Sequence, residues 1–547
     1  MKIGVDLDNT IICYDDAFSA AARQRGLIQT GAIVDKHEVR NLARNLPDGE
    51  NVWRSLQGQV YGRLIWKARL FSGVLRVLWR CRARGFSVSI VSHKTKFGHF
   101  DNSAVSLRDA AIDFLRENGL YPGESLAPVD MVSFFDTREE KIAHINTQKF
   151  DWFVDDLPEI LESPSISKET RRIGFCPDGS QQFREAKSVA SWGEIESLIL
   201  GAWTQDELHQ LVSTISSRKP REISWIGGRG NSQVAKVTCS QGTNAALKIY
   251  AQDESHDRYF SEQKAFEILA ECGEGRVPKS FGGSRELGVG LISWVDGQAI
   301  GYPNVDDIEG ALEFLAALHN FRNDSRFRNL PPASAAITSG LGLQIQVERR
   351  LSTLRSKAID SPALLAFVER EFMPALNEIT SWTRHNWPDR EFDANLPIKE
   401  LTLSPSDFGF HNCLKLSDGT LMFLDFEYFG WDDPVKLCAD FLIHPAMELS
   451  GHLKRRWVEG VTRIYGERVR ARLQVAFGLI GLAWCLILLN SFRRDLRATR
   501  KLVDPALGVD NPVYLDEKLS SARRLLSRVK STYVCFDNFL EEELESA

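Results

Sequence analysis

The stretch 404–434, SPSDFGFHNCLKLSDGTLMFLDFEYFGWDDP, decides the reading of the C-terminal part of the chain. Asp407 precedes Asn412, a short turn passes through Asp418 and Gly419, and a second acidic pair, Asp425 and Glu427, follows an apolar run. Read with period two, 421–426 is a buried strand after a turn, so Asp425 and Glu427 stand at its end and point to one side. A base, an amide and two carboxylates on adjacent loops suit a magnesium and phosphate site. A turn-rich hairpin with solvated acids satisfies the same pattern, so the choice rests on what lies upstream.

Upstream, 223–225 leads into Gly227, Gly228, Arg229, Gly230 and Asn231, and glycines let backbone N–H groups approach phosphate. A strand over 245–250 presents Lys248, and the helical segment after it carries Glu262 as a partner; such a lysine grips the α- and β-phosphates of a nucleotide. LISWVDG (291–297) reads as a strand entering a hinge whose backbone, at Ser293 and Val295, can hydrogen-bond an adenine. Helical periodicity then takes over at 307–319 and 345–382, which predicts a strand-rich lobe (223–300), a helical lobe (301–500) and a helical tail (501–547). The acidic run 541–545 reads as a solvated end.

Over residues 223–500 the chain resembles the aminoglycoside phosphotransferase and choline kinase group of small-molecule kinases. The resemblance implies a bilobal protein-kinase-like fold, with Asp407 as catalytic base and Asn412, Asp425 and Glu427 as metal ligands. It implies nucleotide contacts from Gly228, Gly230, Asn231, Lys248, Glu262, Ser293 and Val295, with Mg²⁺ and ATP, or GTP, as cofactors. Asp440 takes a structural role in it. The family's usual His-Gly before the catalytic aspartate is Pro405-Ser406 here, which puts the loop geometry in question; His411 is either a partial substitute or a packed histidine.

At the other end, an apolar strand over 2–5 delivers Asp6, Leu7, Asp8, Asn9 and Thr10 into a loop, with Asp6 and Asp8 on one side. Two carboxylates so close repel unless a cation or a shared proton reconciles them, so one can be an ionised nucleophile while the other holds a proton. A helix over 74–85 precedes a β-rich run, 86–91, ending at Ser92. A helical stretch (109–118), a charged segment with Lys141, and a strand over 152–154 closing on Asp155 and Asp156 follow. Strands alternating with helices, each strand ending in a polar residue, predict a doubly wound parallel α/β sheet.

These residues resemble the four motifs of the haloacid dehalogenase superfamily of phosphatases, and the likeness covers residues 1–200. It implies that Asp6 attacks phosphorus, Asp8 protonates the leaving alcohol and later activates water, Ser92 binds a phosphoryl oxygen and Lys141 is the third-motif lysine. Mg²⁺ is implied at Asp6, Asp8 (through its backbone), Asp155 and Asp156, under a small helical cap at 14–70. Strand 171–177 and helix 192–200 close the domain, and 201–222, a short amphipathic helix followed by the polar run SSRKPRE with its proline, is the expected linker.

A chain of 547 residues is too long for one core. The net charge of −6 offers no footprint for nucleic acid. Nine scattered cysteines without a close pair predict reduced thiols and a cytoplasmic setting, and the N-terminus lacks the apolar core of a signal peptide. The apolar segment 473–492 approaches membrane-span length, but with polar residues inside it and arginines at both ends it is expected to be a buried helix, without stable membrane insertion. The expectation is a bifunctional enzyme, a Mg-dependent phosphatase joined to an ATP-dependent kinase, acting on a sugar or sugar phosphate and relocating phosphate. Two alternatives remain: an amino-alcohol or aminoglycoside-type kinase with an antagonistic phosphatase domain, and one domain serving only as a ligand-binding scaffold.

Overall fold

The computed structural model describes residues 1–29, 34–98, 105–123, 129–226, 232–240, 242–252, 256–388, 391–497 and 511–541. The chain divides into two compact units: Met1–Thr214 with Gln252–Ser255 and Glu286–Gly288, and Ile215–Ala251 with His256–Arg285 and Val289–Ala547.

The first unit is built on six parallel strands, β1 (Lys2–Val5), β2 (Ser87–His93), β3 (Met131–Phe135), β4 (Trp152–Asp155), β5 (Arg171–Phe175) and β6 (Lys187–Val189), in the order β3-β2-β1-β4-β5-β6. The chain winds outward from β1 in one direction and then returns to fill the other side. Its switch point therefore lies between β1 and β4, where open parallel sheets bind ligands at their carboxyl ends. Ile3 and Val5 are buried on both sides by such packing. Gly4 has no room for a side chain: a Cβ there would meet Phe153 at 2.6 Å and Phe150 at 2.8 Å. Between β1 and β2, helices Asp15–Gln24, Lys36–Arg44 and Gly49–Tyr61 occupy the stretch read from the sequence as helical, with Phe18 stacked on Trp53.

The expected linker, 201–222, contains the division between the two units, at Thr214/Ile215. It holds helix Gln205–Ile215, and Pro220 already begins the next strand. Buried Glu207 accepts from Arg80 and Arg84, and buried Glu196 from Arg76 and Arg80, so helix Val74–Ala83 and Arg84 just beyond it hold the 205–215 helix in place. A polar composition concealed these ion pairs.

The second unit opens with an antiparallel sheet of β7 (Pro220–Ile226), β8 (Gln233–Cys239), β9 (Ala245–Ile249), β10 (Ser280–Ser284) and β11 (Val289–Ser293), in the order β10-β11-β9-β8-β7. Central β9 is buried throughout and carries Lys248, and helix Arg258–Glu271 carries Glu262. The glycine-loop positions Gly228, Gly230 and Asn231 lie outside the described residues. A helical lobe follows from Val305. The helix expected over 345–382 is interrupted: Gly340–Lys357 ends before Pro362–Phe367 begins.

Three further strands, β12 (Gln298–Ala299), β14 (Cys413–Lys415) and β15 (Leu421–Phe423), form a small sheet, and β13 (Thr402–Ser404) pairs with β16 (Gly430–Asp432). The strand expected over 421–426 stops at Phe423, because Asp425 takes the left-handed conformation (φ 63°). Helix Glu467–Leu488, continued by a 3-10 turn to Phe492, is the one described helix long and apolar enough to cross a membrane; 78% of its most apolar window is buried within the unit. The tail helix Pro512–Thr532 sets Leu519, Ala522, Leu526 and Val529 into the same core.

Candidate functional site

In the second unit the charged centre forms around Lys248. Its Nζ lies 3.0 Å from Glu262 Oε1, 2.6 Å from Asp425 Oδ1 and 3.4 Å from Glu427 Oε2. Burial works against the lysine's charge, but Asp425, Glu262 and Glu427 together outweigh it and raise its pKa. Burial pushes Asp425 up to about 7 against the pull of Lys248. Glu262 is fixed further by the Phe426 N–H (2.8 Å) and by the Tyr250 hydroxyl, which reaches its other oxygen.

Glu427, expected as a metal ligand, has both oxygens engaged. Oε2 accepts from Ser232 Oγ at 2.6 Å, Oε1 lies 3.5 Å from Arg258 Nε, and its carboxyl is held below the usual range by Lys248, Ser232 and Arg258 despite burial. It anchors the lysine and the end of the glycine loop before it offers anything to a cation. Of the two expected hinge positions, Ser293 donates its N–H to Lys279 O and accepts the Lys279 N–H on its hydroxyl.

Asp407 and Asn412, the expected base and metal ligand, lie on the segment 404–412. Ser406 has φ 67°, Asp425 φ 63° and, in the first unit, Asn9 φ 62°. Such strain in residues that carry a side chain is characteristic of functional loops. Asn412 Nδ2 donates to Asp407 O at 3.0 Å, so its oxygen is the end a cation would take. Asp407 Oδ1 is 3.0 Å from His411 Nε2; burial alone would raise this carboxyl, but His411 and His444 hold it below the usual range. Asp440 accepts from Lys436 Nζ (2.7 Å) and Trp484 Nε1 (2.8 Å), which is a structural role.

In the first unit, Lys141 Nζ bridges Asp6 Oδ1 (2.6 Å) and Asp155 Oδ2 (2.7 Å), all three fully buried or nearly so. Burial raises Asp6 well above the ordinary range against the opposing charge of Lys141. Burial with the Asp155 charge pushes Asp156 up to about 7. Oxygens of Asp6, Asp155 and Asp156 lie within 4.8 Å of one another, a hard carboxylate set that suits Mg²⁺. The side chain of Asp8 stands apart from this set: Oδ1 accepts from Tyr14 OH at 2.7 Å and pairs with Lys94 Nζ at 2.9 Å. At the same sheet edge, Ser92 Oγ and Thr10 Oγ1 are buried without a hydrogen-bond partner among the described residues.

The sequence reading did not single out Tyr14, Ser232, Tyr250 or His444. Tyr250 was findable, since it shares a strand face with Lys248 two residues away. His444 carries no local signal, because its partner is 33 residues distant in the chain.

Residues 225–476 match the model of the phosphotransferase enzyme family. That makes them a kinase-type phosphotransferase domain of the aminoglycoside phosphotransferase kind. No curated protein matches the chain. Among solved structures it is similar to an ethanolamine kinase from Plasmodium vivax (14% identity, 55% of this chain and 82% of that one, TM-score 0.37). It is also similar to the choline kinase LicA from Streptococcus pneumoniae (13%, 58% and 96%, 0.38) and to a spectinomycin phosphotransferase in complex with ADP and spectinomycin (10%, 59% and 99%, 0.41).

Proposed function

We propose that the chain is a bifunctional cytoplasmic enzyme that adds phosphate to one hydroxyl of a small molecule and removes it from another, with a sugar or sugar phosphate as substrate class. The kinase half rests on the family match together with the Lys248–Glu262–Asp425 centre. Lys248 holds the nucleotide phosphates of ATP or GTP. Asp407 accepts the acceptor's hydroxyl proton as oxygen attacks the γ-phosphorus, and the nucleoside diphosphate departs. Asn412 and Asp425 are the residues that would hold Mg²⁺, which neutralises charge on the transferring phosphoryl group.

The phosphatase half is carried by one observation: two buried hydroxyls without partners, Ser92 and Thr10, at the sheet edge where Asp6, Lys141 and Asp155 converge. Buried donors without partners cost free energy unless a ligand satisfies them, and phosphoryl oxygens are the acceptors this edge would receive. Asp6 attacks phosphorus to form an acyl phosphate while Asp8 gives its proton to the departing alkoxide. Asp8 then takes a proton from water, whose oxygen attacks the same phosphorus, frees inorganic phosphate and restores Asp6. Asp6, Asp155 and Asp156 would hold Mg²⁺ there. All nine cysteines are unpaired, which supports a reducing compartment.

The test is ³¹P NMR of wild type, Asp6→Asn and Asp407→Asn with MgATP and a panel of sugars, sugar phosphates and amino alcohols. Wild type is expected to move phosphate to a new position, Asp6→Asn to accumulate a doubly phosphorylated product, and Asp407→Asn to give only inorganic phosphate. No turnover of any panel member overturns the substrate class.

A further inference from the structure

Pro405 and Ser406 stand where an imidazole would be expected to organise the catalytic loop, yet two imidazoles reach Asp407 from the other side. His411 Nε2 lies 3.0 Å from Asp407 Oδ1 and His444 Nε2 lies 4.0 Å from it. The rings stack face to face, 3.8 Å apart and 5° from parallel. A carboxylate only accepts, so His411 carries its proton on Nε2, and its Nδ1 is buried without a partner. The backbone N–H of Ala446 donates to Nδ1 of His444 at 3.1 Å, so a neutral His444 also carries its proton on Nε2, toward Asp407.

The pair is itself held. Trp484 packs edge-on against His444 (4.9 Å) and donates to Asp440, which is fixed by Lys436. A Cβ at residue 409 would meet His411 Nδ1 at 2.6 Å, so only glycine there lets the ring fold back onto Asp407. These three residues bring their nitrogens and oxygen close enough to surround a cation, but with both Nε2 atoms protonated neither imidazole offers that nitrogen's lone pair to one.

We infer that His411 is a positioning residue for phosphoryl transfer, its Nε2–H holding one oxygen of Asp407 so that the other faces the acceptor hydroxyl, and that His444 positions His411 by stacking. Asp407 then enters the reaction with one rotamer already chosen, and pre-set geometry of this kind shows in turnover more than in nucleotide binding. The inference rests on the kinase reading of Asp407.

Two measurements on the full chain test it. In ¹⁵N-histidine-labelled protein, long-range proton–nitrogen correlation is expected to show both rings as Nε2–H tautomers, assigned by the signals lost in His411→Gln and His444→Gln. An Nδ1–H tautomer for either ring overturns it. Second, ADP release from MgATP is followed with choline, ethanolamine and glucose as acceptors, and with water where none is taken. His411→Ala is expected to lower kcat at least about tenfold with the KM for ATP little changed, while His411→Gln, which keeps a donor at that place, recovers most of it. Turnover unchanged in His411→Ala, or equal losses in the Ala and Gln variants, overturns it. Asp407→Asn separates the two failures: if ADP release survives that change as well, the kinase role of Asp407 has failed; if only Asp407→Asn abolishes it, the positioning role alone has.

Discussion

Each candidate site is centred on a buried lysine among carboxylates, Lys141 in the first unit and Lys248 in the second, and these two lysines are placed by opposite means. Lys141 stands in the first turn of helix Arg138–Gln148 and reaches two strand ends of one parallel sheet, 135 and 14 residues away. Lys248 lies on the central strand of an antiparallel sheet and meets Glu262 only 14 residues on, but Asp425 lies 177 residues on, in the helical lobe. The first arrangement is closed: side-chain exposure is 0% for Lys141 and Asp155 and 6% for Asp6. In the second, Asp425 keeps 33%. A closed centre suits a site that holds its phosphoryl group covalently, whereas an open one suits a site that must admit and release a nucleotide.

If the two centres are separate machines, each should fail alone. Asp6→Asn is expected to cut phosphatase turnover by more than about 10⁴-fold while ATP consumption stays within about twofold. Asp407→Asn should cut kinase turnover by about 10²–10⁴-fold and spare phosphate release from monoesters. Parallel loss of both activities in either variant would break the comparison.

The closed centre should also suffer more when its cation is removed. Lys141→Met leaves Asp6 and Asp155 facing each other without compensation, and a buried charge stripped of its partner costs about 3–5 kcal/mol. Lys248→Met should cost less, about 1–3 kcal/mol, because solvent reaches Asp425 while buried Glu262 keeps the Phe426 N–H and the Tyr250 hydroxyl and buried Glu427 keeps Ser232 and Arg258. Calorimetric unfolding with and without Mg²⁺ checks the order. Mg²⁺ should raise the Tm of Lys141→Met more than that of wild type, since the ion replaces the missing charge.

Both centres hold one carboxyl pushed up to about 7, Asp156 through burial and Asp155, Asp425 through burial against the pull of Lys248. A raised acid favours the neutral folded form. Its contribution to stability is therefore complete below the unfolded value of 3.8 and is lost as pH rises through about 7. Mg²⁺ needs the ionised form, so at pH values below about 7 its binding should release a proton from Asp425 in the second unit and from Asp156, in addition to any held by the likewise raised Asp6, in the first, and should weaken on further acidification. Titration calorimetry in buffers of different ionisation enthalpy reads the protons directly. Asp156→Asn or Asp425→Asn should lower the release at its own site only.

These differences explain what the sequence disclosed. Asp6 and Asp8, two residues apart on a strand end, and Lys248 with Glu262, fourteen apart, are local patterns whose chemistry survives without a fold. Strand β3 escaped notice because all five of its residues are half-buried and leave no alternation to read. The short amphipathic helix within 201–222 was legible, but its anchor was not, because Glu207 is a polar residue whose burial depends on Arg80 and Arg84 more than a hundred residues earlier. The turn at Asp425 broke the expected strand through a positive φ that no side-chain pattern announces. Glu427 was expected at the metal because its spacing from Asp425 is right; its engagement by Ser232 and Arg258 is a tertiary fact.

The smallest effect separates a helix-borne lysine from a strand-borne one. Thr137 caps helix Arg138–Gln148 by accepting the Glu140 N–H at 3.2 Å, and the Glu140 carboxylate returns to the Thr137 N–H at 3.2 Å. Lys141 is the next residue, so the box fixes the turn from which its side chain departs. Thr137→Ala should cost about 1 kcal/mol in the unfolding of the first unit. It should also slow phosphatase turnover a few-fold, as the first turn loosens under Lys141, and leave the kinase untouched. Lys248 depends on no cap: β9 is paired on both sides, with Val234 of β8 and Gly290 of β11 opposite the lysine, so its position is set by two neighbouring strands. A Thr137→Ala protein with full phosphatase activity would show that Lys141 is held by Asp6 and Asp155 alone, and that the helix contributes only its reach.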